Sequence, residues 1–134
     1  MRINSYRDLK VWQQGMSLAV AIYQVTATMP ANEQYGMTSQ IRRAAASVPA
    51  NIAEGYGRGS TGSYVHFLKI ARGSLLELET HLLLAEKIGL LRVEQIRPSL
   101  QIAESIGKML SALIKSVRSI AHSAGVSSHN SRTA

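Results

Sequence analysis

Cysteine is absent from the 134 residues, and aspartate occurs once, as Asp8. The first absence excludes a disulfide scaffold, a thiolate zinc site and a cysteine nucleophile. The second starves any mechanism that needs several aspartates. Proline stands only at Pro30, Pro49 and Pro98. Runs of alternating β-branched and aromatic residues, the mark of half-buried strands, are missing, so no sheet is expected. No apolar signal core follows Met1-Arg2-Ile3-Asn4. The most apolar early run, Met16 to Val25, would form a helix only about 15 Å long, against a bilayer hydrocarbon core of about 30 Å. These absences lead to the expectation of a cytoplasmic protein with no membrane partner.

What is present is apolar and basic. Hydrophobic residues make up 46% of the chain, enough for a substantial core, and 15 Lys and Arg face 8 acids for a formal charge of +7. The length suits one domain. Periodicity then divides it. Ser5 with Asp8 resembles a capping box and predicts the start of helix 1. Two apolar stripes follow, one through Leu9, Trp12, Met16, Ala19 and Tyr23, the other through Leu18, Ile22, Val25 and Met29, and Pro30 ends this helix or opens the next. Helix 2 is expected from about Asn32–Tyr35 to Tyr56 on the face Ile41, Ala45, Val48, Ile52 and Tyr56, with a kink at Pro49. Ser60 or Thr61 caps helix 3, whose Tyr64, Leu68, Ala71, Leu75, Leu78, Leu82 and Ala85 make the cleanest heptad pattern in the chain. Gly89 ends it. Helix 4 carries Ile96, Leu100, Ala103, Ile106, Leu110, Leu113 and Val117. The prediction is an all-α, antiparallel up-down-up-down four-helix bundle over residues 1–118, with 119–134 as a mobile C-terminal tail.

A bundle helix needs about three apolar positions in seven. Helix 1 between Met16 and Val25 exceeds that, and helix 3 adds Leu76, Leu83 and Leu84 to its core stripe. Either a symmetric homo-oligomer buries the surplus, or long loops cover a thick core.

The candidate chemistry is sparse. Gly57-Arg58-Gly59-Ser60-Thr61-Gly62 fits the GxGxxG pattern of dinucleotide sites, but that pattern works at a strand-to-helix turn, and a helix precedes it here. The milder reading leaves Arg58 beside the start of helix 3 as an anion contact. Glu77 and His81 stand four residues apart, and no Glu-x-x-His occurs, so no metal or cofactor is expected. No GxSxG elbow is present. With no nucleophile, metal set or acid–base pair converging, the protein is not expected to be an enzyme. Gln40, Arg43, Ser47, Asn51 and Glu54 recur at spacings of 3 and 4 and form a polar face on helix 2. That face either fixes register, with Arg43 pairing to Glu54 or to Glu77 across the bundle, or contacts a ligand or nucleic acid.

Positive charge is segregated. Residues 39–72 set Arg42, Arg43, Arg58, Lys69 and Arg72 against Glu54, and residues 97–134 set Arg97, Lys108, Lys115, Arg118 and Arg132 against Glu104. Residues 73–96 are net acidic. In an antiparallel bundle the basic stretches meet at one end, and such a surface attracts polyanions through their phosphates without reading base sequence.

Ser39-Gln40-Ile41-Arg42-Arg43-Ala44-Ala45, the stretch Asn51 to Arg58, and Phe67 to Glu79, opened by Tyr6-Arg7-Asp8-Leu9 and Trp12, resemble the signature of bacterial four-helix-bundle proteins encoded in intervening sequences of large-subunit ribosomal RNA genes. The accessory protein of diversity-generating retroelements is similar. The resemblance spans about Tyr6 to Leu113, with Gln40, Arg43, Asn51, Glu54 and Glu77 at its signature positions. It implies a four-helix bundle, a homopentameric ring, a basic nucleic-acid-binding surface and no established enzymatic activity.

The expected function is therefore a non-catalytic basic homo-oligomer that binds RNA or DNA backbone through Arg42, Arg43, Arg58, Lys69, Arg72, Lys108, Lys115 and Arg118. The alternative is an oligomeric adaptor that docks a protein partner, with the charge incidental.

Overall fold

The computed structural model describes residues 2–133, with side-chain environments described through Ser123. Four helices carry the fold: α1 Lys10–Thr26, α2 Met37–Gly57, α3 Thr61–Lys87 and α4 Val93–Thr133. Short 3-10 turns at Tyr6–Asp8 and Ala31–Glu33 precede α1 and α2. No strand occurs among the described residues. The molecule is a four-helix bundle in which α1 packs on α2 and α4, and α3 packs on α2 and α4. Among the described residues no Cα of α1 comes within 8 Å of one in α3, nor any of α2 within 8 Å of α4, so these pairs lie diagonally across the core. No described helix is long and apolar enough to cross a membrane.

The local signals act mostly where expected, with informative departures. The Ser5–Asp8 capping box forms, but it closes the 3-10 turn; Leu9 is then extended, and the α-helix begins only at Lys10. The connection before α2 is longer than periodicity implies. Pro30 opens the Ala31–Glu33 turn, and Glu33 accepts the backbone N–H of Met37 at 3.0 Å, so α2 starts at Met37 rather than at Asn32–Tyr35. Ser60 caps α3 by accepting the Ser63 N–H at 3.2 Å, and Gly89, with φ of +83°, lets the chain leave after Lys87. The largest departure is in α4, which continues to Thr133 where an aperiodic tail from Ser119 is expected. The stretch after Pro98 contains no proline to interrupt the backbone ladder, so loss of apolar periodicity removes core contact without ending the helix. The mobility expected of 119–134 concerns side chains that, from 124 onward, lie outside the described residues.

The core sits along the bundle axis. Leu18 and Ile22 of α1, Ile41, Val48 and Ile52 of α2, Leu68, Leu75, Leu78 and Leu82 of α3, and Ile106 and Leu110 of α4 are fully buried. Each such side chain contributes about 2 kcal/mol by leaving water. Of the two stripes on α1, the one through Leu18 and Ile22 faces inward, and Met16, Val20 and Tyr23 remain exposed. On α3 the same holds for Leu76, Leu83 and Leu84, and for Ile88 just past its end.

Small residues let the helices approach. A Cβ at Gly15 would lie 3.4 Å from the Cβ of buried Pro49, so the proline ring inside α2 becomes the seat of α1. Gly55 is tighter still: a Cβ there would lie 2.8 Å from the Cβ of Phe67 and 3.2 Å from the Tyr64 carbonyl oxygen. Farther along the same helix pair, the Ser47 and Ser74 hydroxyls are hydrogen-bonded at 2.8 Å. Contacts on α3 thus advance as those on α2 recede.

The Gly55 contact gives a direct test. Gly55→Ala is expected to overpack the α2–α3 contact and to destabilise the protein by about 1–3 kcal/mol. Urea denaturation at fixed protein concentration measures this as a lowered midpoint with unchanged slope.

Candidate nucleic-acid interface

The α3–α4 side of the bundle collects charge. Arg72, in the first half of α3, faces the second half of α4, and together they line an open groove of about 450 Å³. From α4 come Ser111, Ile114, Lys115, Arg118, Ser119, His122 and Ser123. Along α4 the polar positions Lys108, Ser111, Lys115, Arg118 and His122 succeed one another at spacings of 3 and 4, which places them on one helical stripe. Arg72 reaches across and donates from Nη1 to Ser111 Oγ at 3.4 Å. No carboxylate is among the described residues that line this groove. The arrangement presents cations and hydroxyl donors in a row, the groups that hold phosphate oxygens.

The eight sequence-predicted cations divide into sets. Arg72, Lys115 and Arg118 share the groove. Lys108 stands one turn along, in a continuation that shares Arg72 and Ser111, and it lies 3.5 Å from Glu104 with both side chains exposed. Lys69 is exposed one turn before Arg72 on α3. Arg58, at the end of α2, pairs with Glu54 at 2.7 Å and lies over the Phe67 ring, 4.9 Å from its centroid. This half-exposed pair lies in water and adds little stability. Arg42 is fastened to α1: its Nε donates to Thr26 Oγ1 at 2.8 Å, its Nη2 to the Tyr23 carbonyl at 3.3 Å, and its guanidinium covers the Tyr23 ring at 4.6 Å. Arg43 faces a hollow at the α1–α2 connection beside Tyr35. The structure therefore separates Arg42 and Arg43 from the α3–α4 groove.

The middle of the α2 polar stripe, Ser47 and Asn51, is spent on packing. Asn51 donates from Nδ2 to both the carbonyl and the hydroxyl of Ser47, each at 2.8 Å, and Ser47 meets Ser74 of α3. The expected Arg43 pairs do not form. Glu54 engages Arg58, and Glu77 lies beside His81 Nε2 at 3.5 Å. The glycine-rich segment joins helix α2 to helix α3, not a strand to a helix. Among the described residues, no group of three or more His, Asp or Glu is placed to hold a metal ion.

His122, Ser119 and Ser123 escaped the sequence reading because helix 4 was expected to stop at Ser119. The signal was available: the 3-and-4 spacing of the polar stripe continues unbroken to His122.

Residues 7–112 match the family described as 23S rRNA-intervening sequence protein. The crystal structure of a protein of unknown function from the S23 ribosomal protein family, from Bacteroides thetaiotaomicron, is 29% identical in sequence. The match covers 78% of this chain and 98% of that one, with a TM-score of 0.69. No curated protein matches the chain. The family match includes Arg72 and Lys108 and ends before Lys115, Arg118 and His122.

Beyond Arg72 the groove is mixed in charge, with Lys108 beside two acids. Glu79 and Glu104 line it there, over Leu75, Leu76 and Gly107. Burial first, and the Glu104 carboxylate second, push the Glu79 carboxyl above its ordinary range. The folded state thus resists ionising Glu79. The stability it contributes is present below the unfolded value of about 4.3 and is lost as pH rises through the raised folded value. Glu79→Gln is expected to raise the denaturation midpoint at pH 7, with the advantage shrinking to nothing near pH 4. Thermal melts across that range measure the difference.

Proposed function

Because the chain belongs to the family of 23S rRNA-intervening sequence proteins, we propose that it is a non-catalytic, homo-oligomeric bundle that acts in the cytoplasm and binds the phosphate backbone of RNA or DNA along the α3–α4 groove. The observation that carries this reading is the gathering of Arg72, Lys115 and Arg118 on one groove with no carboxylate among its described lining. Cations without near counter-charges release the ions condensed on a polyanion when they take their place. The serine hydroxyls between them suit phosphate oxygens and carry no base specificity.

The apolar flanks support assembly. Val20 is 55% exposed on α1 and Leu83 is 46% exposed on α3. These helices are diagonal in the bundle, so their outer faces point to different flanks. A contact between unlike faces repeats from copy to copy and closes into a ring when the rotation permits. The homopentamer implied by the family resemblance is such a ring, and it multiplies the basic groove by the number of subunits. A second reading, an adaptor for a protein partner, draws on the same apolar flanks. A complex that survives nuclease and moderate salt would favour it.

Two outcomes are expected. Lys115→Glu with Arg118→Glu weakens oligonucleotide binding roughly tenfold or more and reduces the slope of log affinity against log salt by about 2 in magnitude, with helicity unchanged. Fluorescence anisotropy over a salt series measures both. Val20→Asp with Leu83→Asp converts an assembly of about five subunits into folded monomers, read as molar mass by light scattering.

A further inference from the structure

The hollow at the α1–α2 connection differs in chemistry from the phosphate groove. Tyr35 is 91% exposed there, in the turn just before α2. A tyrosine left so fully in water contributes nothing to this fold, although its ring is among the largest apolar surfaces a side chain offers. Around it stand Arg43, the Gln34 carboxamide and the Ser39 hydroxyl, in a hollow of about 360 Å³ that falls within the size range of small-molecule sites. No carboxylate is among its described lining residues. Its inner wall is firm. The Arg42 guanidinium lies on Tyr23 at 4.6 Å and is tied to Thr26 at 2.8 Å, so Arg42 is spent on structure while Arg43 stays exposed.

A stacking face, a cation and an amide lining one hollow match an unpaired nucleotide. We propose that this hollow binds a single nucleotide of an unpaired segment, with the base stacked on Tyr35, its phosphate on Arg43 and the base edge within reach of Gln34. The inference rests on the nucleic-acid reading above and adds to it a preference for strands with free bases. The α3–α4 groove holds backbone regardless of base; the Tyr35 hollow engages only a base that is out of a duplex.

The test compares a 12-nucleotide oligothymidylate with an abasic oligonucleotide of equal length and charge. The wild-type protein is expected to bind the oligothymidylate more tightly. Tyr35→Ala is expected to weaken oligothymidylate binding roughly tenfold and to leave abasic binding unchanged, and Tyr35→Phe to retain the wild-type difference. Tyr35→Trp supplies a spectroscopic readout, its fluorescence quenched by oligothymidylate and not by the abasic strand. Circular dichroism confirms folding of each variant. If both strands bind and Tyr35→Ala affects them equally or not at all, as it would were Tyr35 a contact for a protein partner, this inference is overturned and the phosphate groove stands. If neither strand binds wild-type protein at low salt, both fall.

Discussion

The bundle depends on how closely α2 and α3 approach at Gly55. No side chain separates the two backbones there, and the Phe67 and Tyr64 positions occupy the space that a Cβ would need. With that end closed, the Ser47–Ser74 hydrogen bond sets the pair's spacing farther along. The Asn51 amide holds the Ser47 hydroxyl and carbonyl at once, which fixes the serine's orientation. Polar groups half-buried between helices are costly when unpaired, so the geometry that satisfies all three defines one register. The apolar core fills around this pair, with Pro49 receiving α1 at Gly15 and Leu75 receiving α4 at Gly107.

The position of α4 against α3 makes the basic groove. Arg72 sits on the α3 side that α4 covers, and its contact with Ser111 brings the cationic stripe of α4 alongside. Toward Glu79 and Glu104 the same groove carries both signs, since Lys108 lines that stretch too. A polyanion lying along it meets cations unopposed by lining carboxylates only over the Arg72–His122 part. Binding of this kind depends on charge and salt, not sequence, and in the proposed ring repetition of the groove would raise the field without changing its character.

Much of this was legible in the residues, for physical reasons that differ by element. The α3 heptads and the Ser60 cap rest on contacts within a few residues, and the structure uses both. The choice between the Met16–Tyr23 and Leu18–Met29 stripes of α1 was not legible, because each is apolar at helical spacing and only the position of Pro49 and Gly15 decides which one turns inward. Ser5 and Asp8 bond as a capping box would, yet the helix waits for Lys10 because a cap satisfies its own turn without dictating the conformation of the next residue. Pairing partners were the weakest part. Arg43 had two plausible carboxylates, but Glu54 has Arg58 one turn away and Glu77 has His81, and near neighbours on one helix win over a partner on another. Of the candidate groove, charge segregation singles out Arg72, Lys115 and Arg118 together with cations that lie elsewhere, and periodicity read only through apolar residues ends α4 too soon to place His122 beside them. Tyr35 left no signal, since exposure of a loop aromatic is a tertiary property.

Hydrogen exchange of the intact assembly, with and without a saturating oligonucleotide at low salt, bears most directly on where the nucleic acid lies. The expected result is slowed exchange in peptides spanning 69–72 of α3 and 108–119 of α4, reversed by added salt and joined by the 34–43 stretch only when the strand is unpaired. Slowed exchange centred on the exposed flank of α1, or no change in any peptide while the oligonucleotide is in excess, would contradict the assignment of the α3–α4 groove.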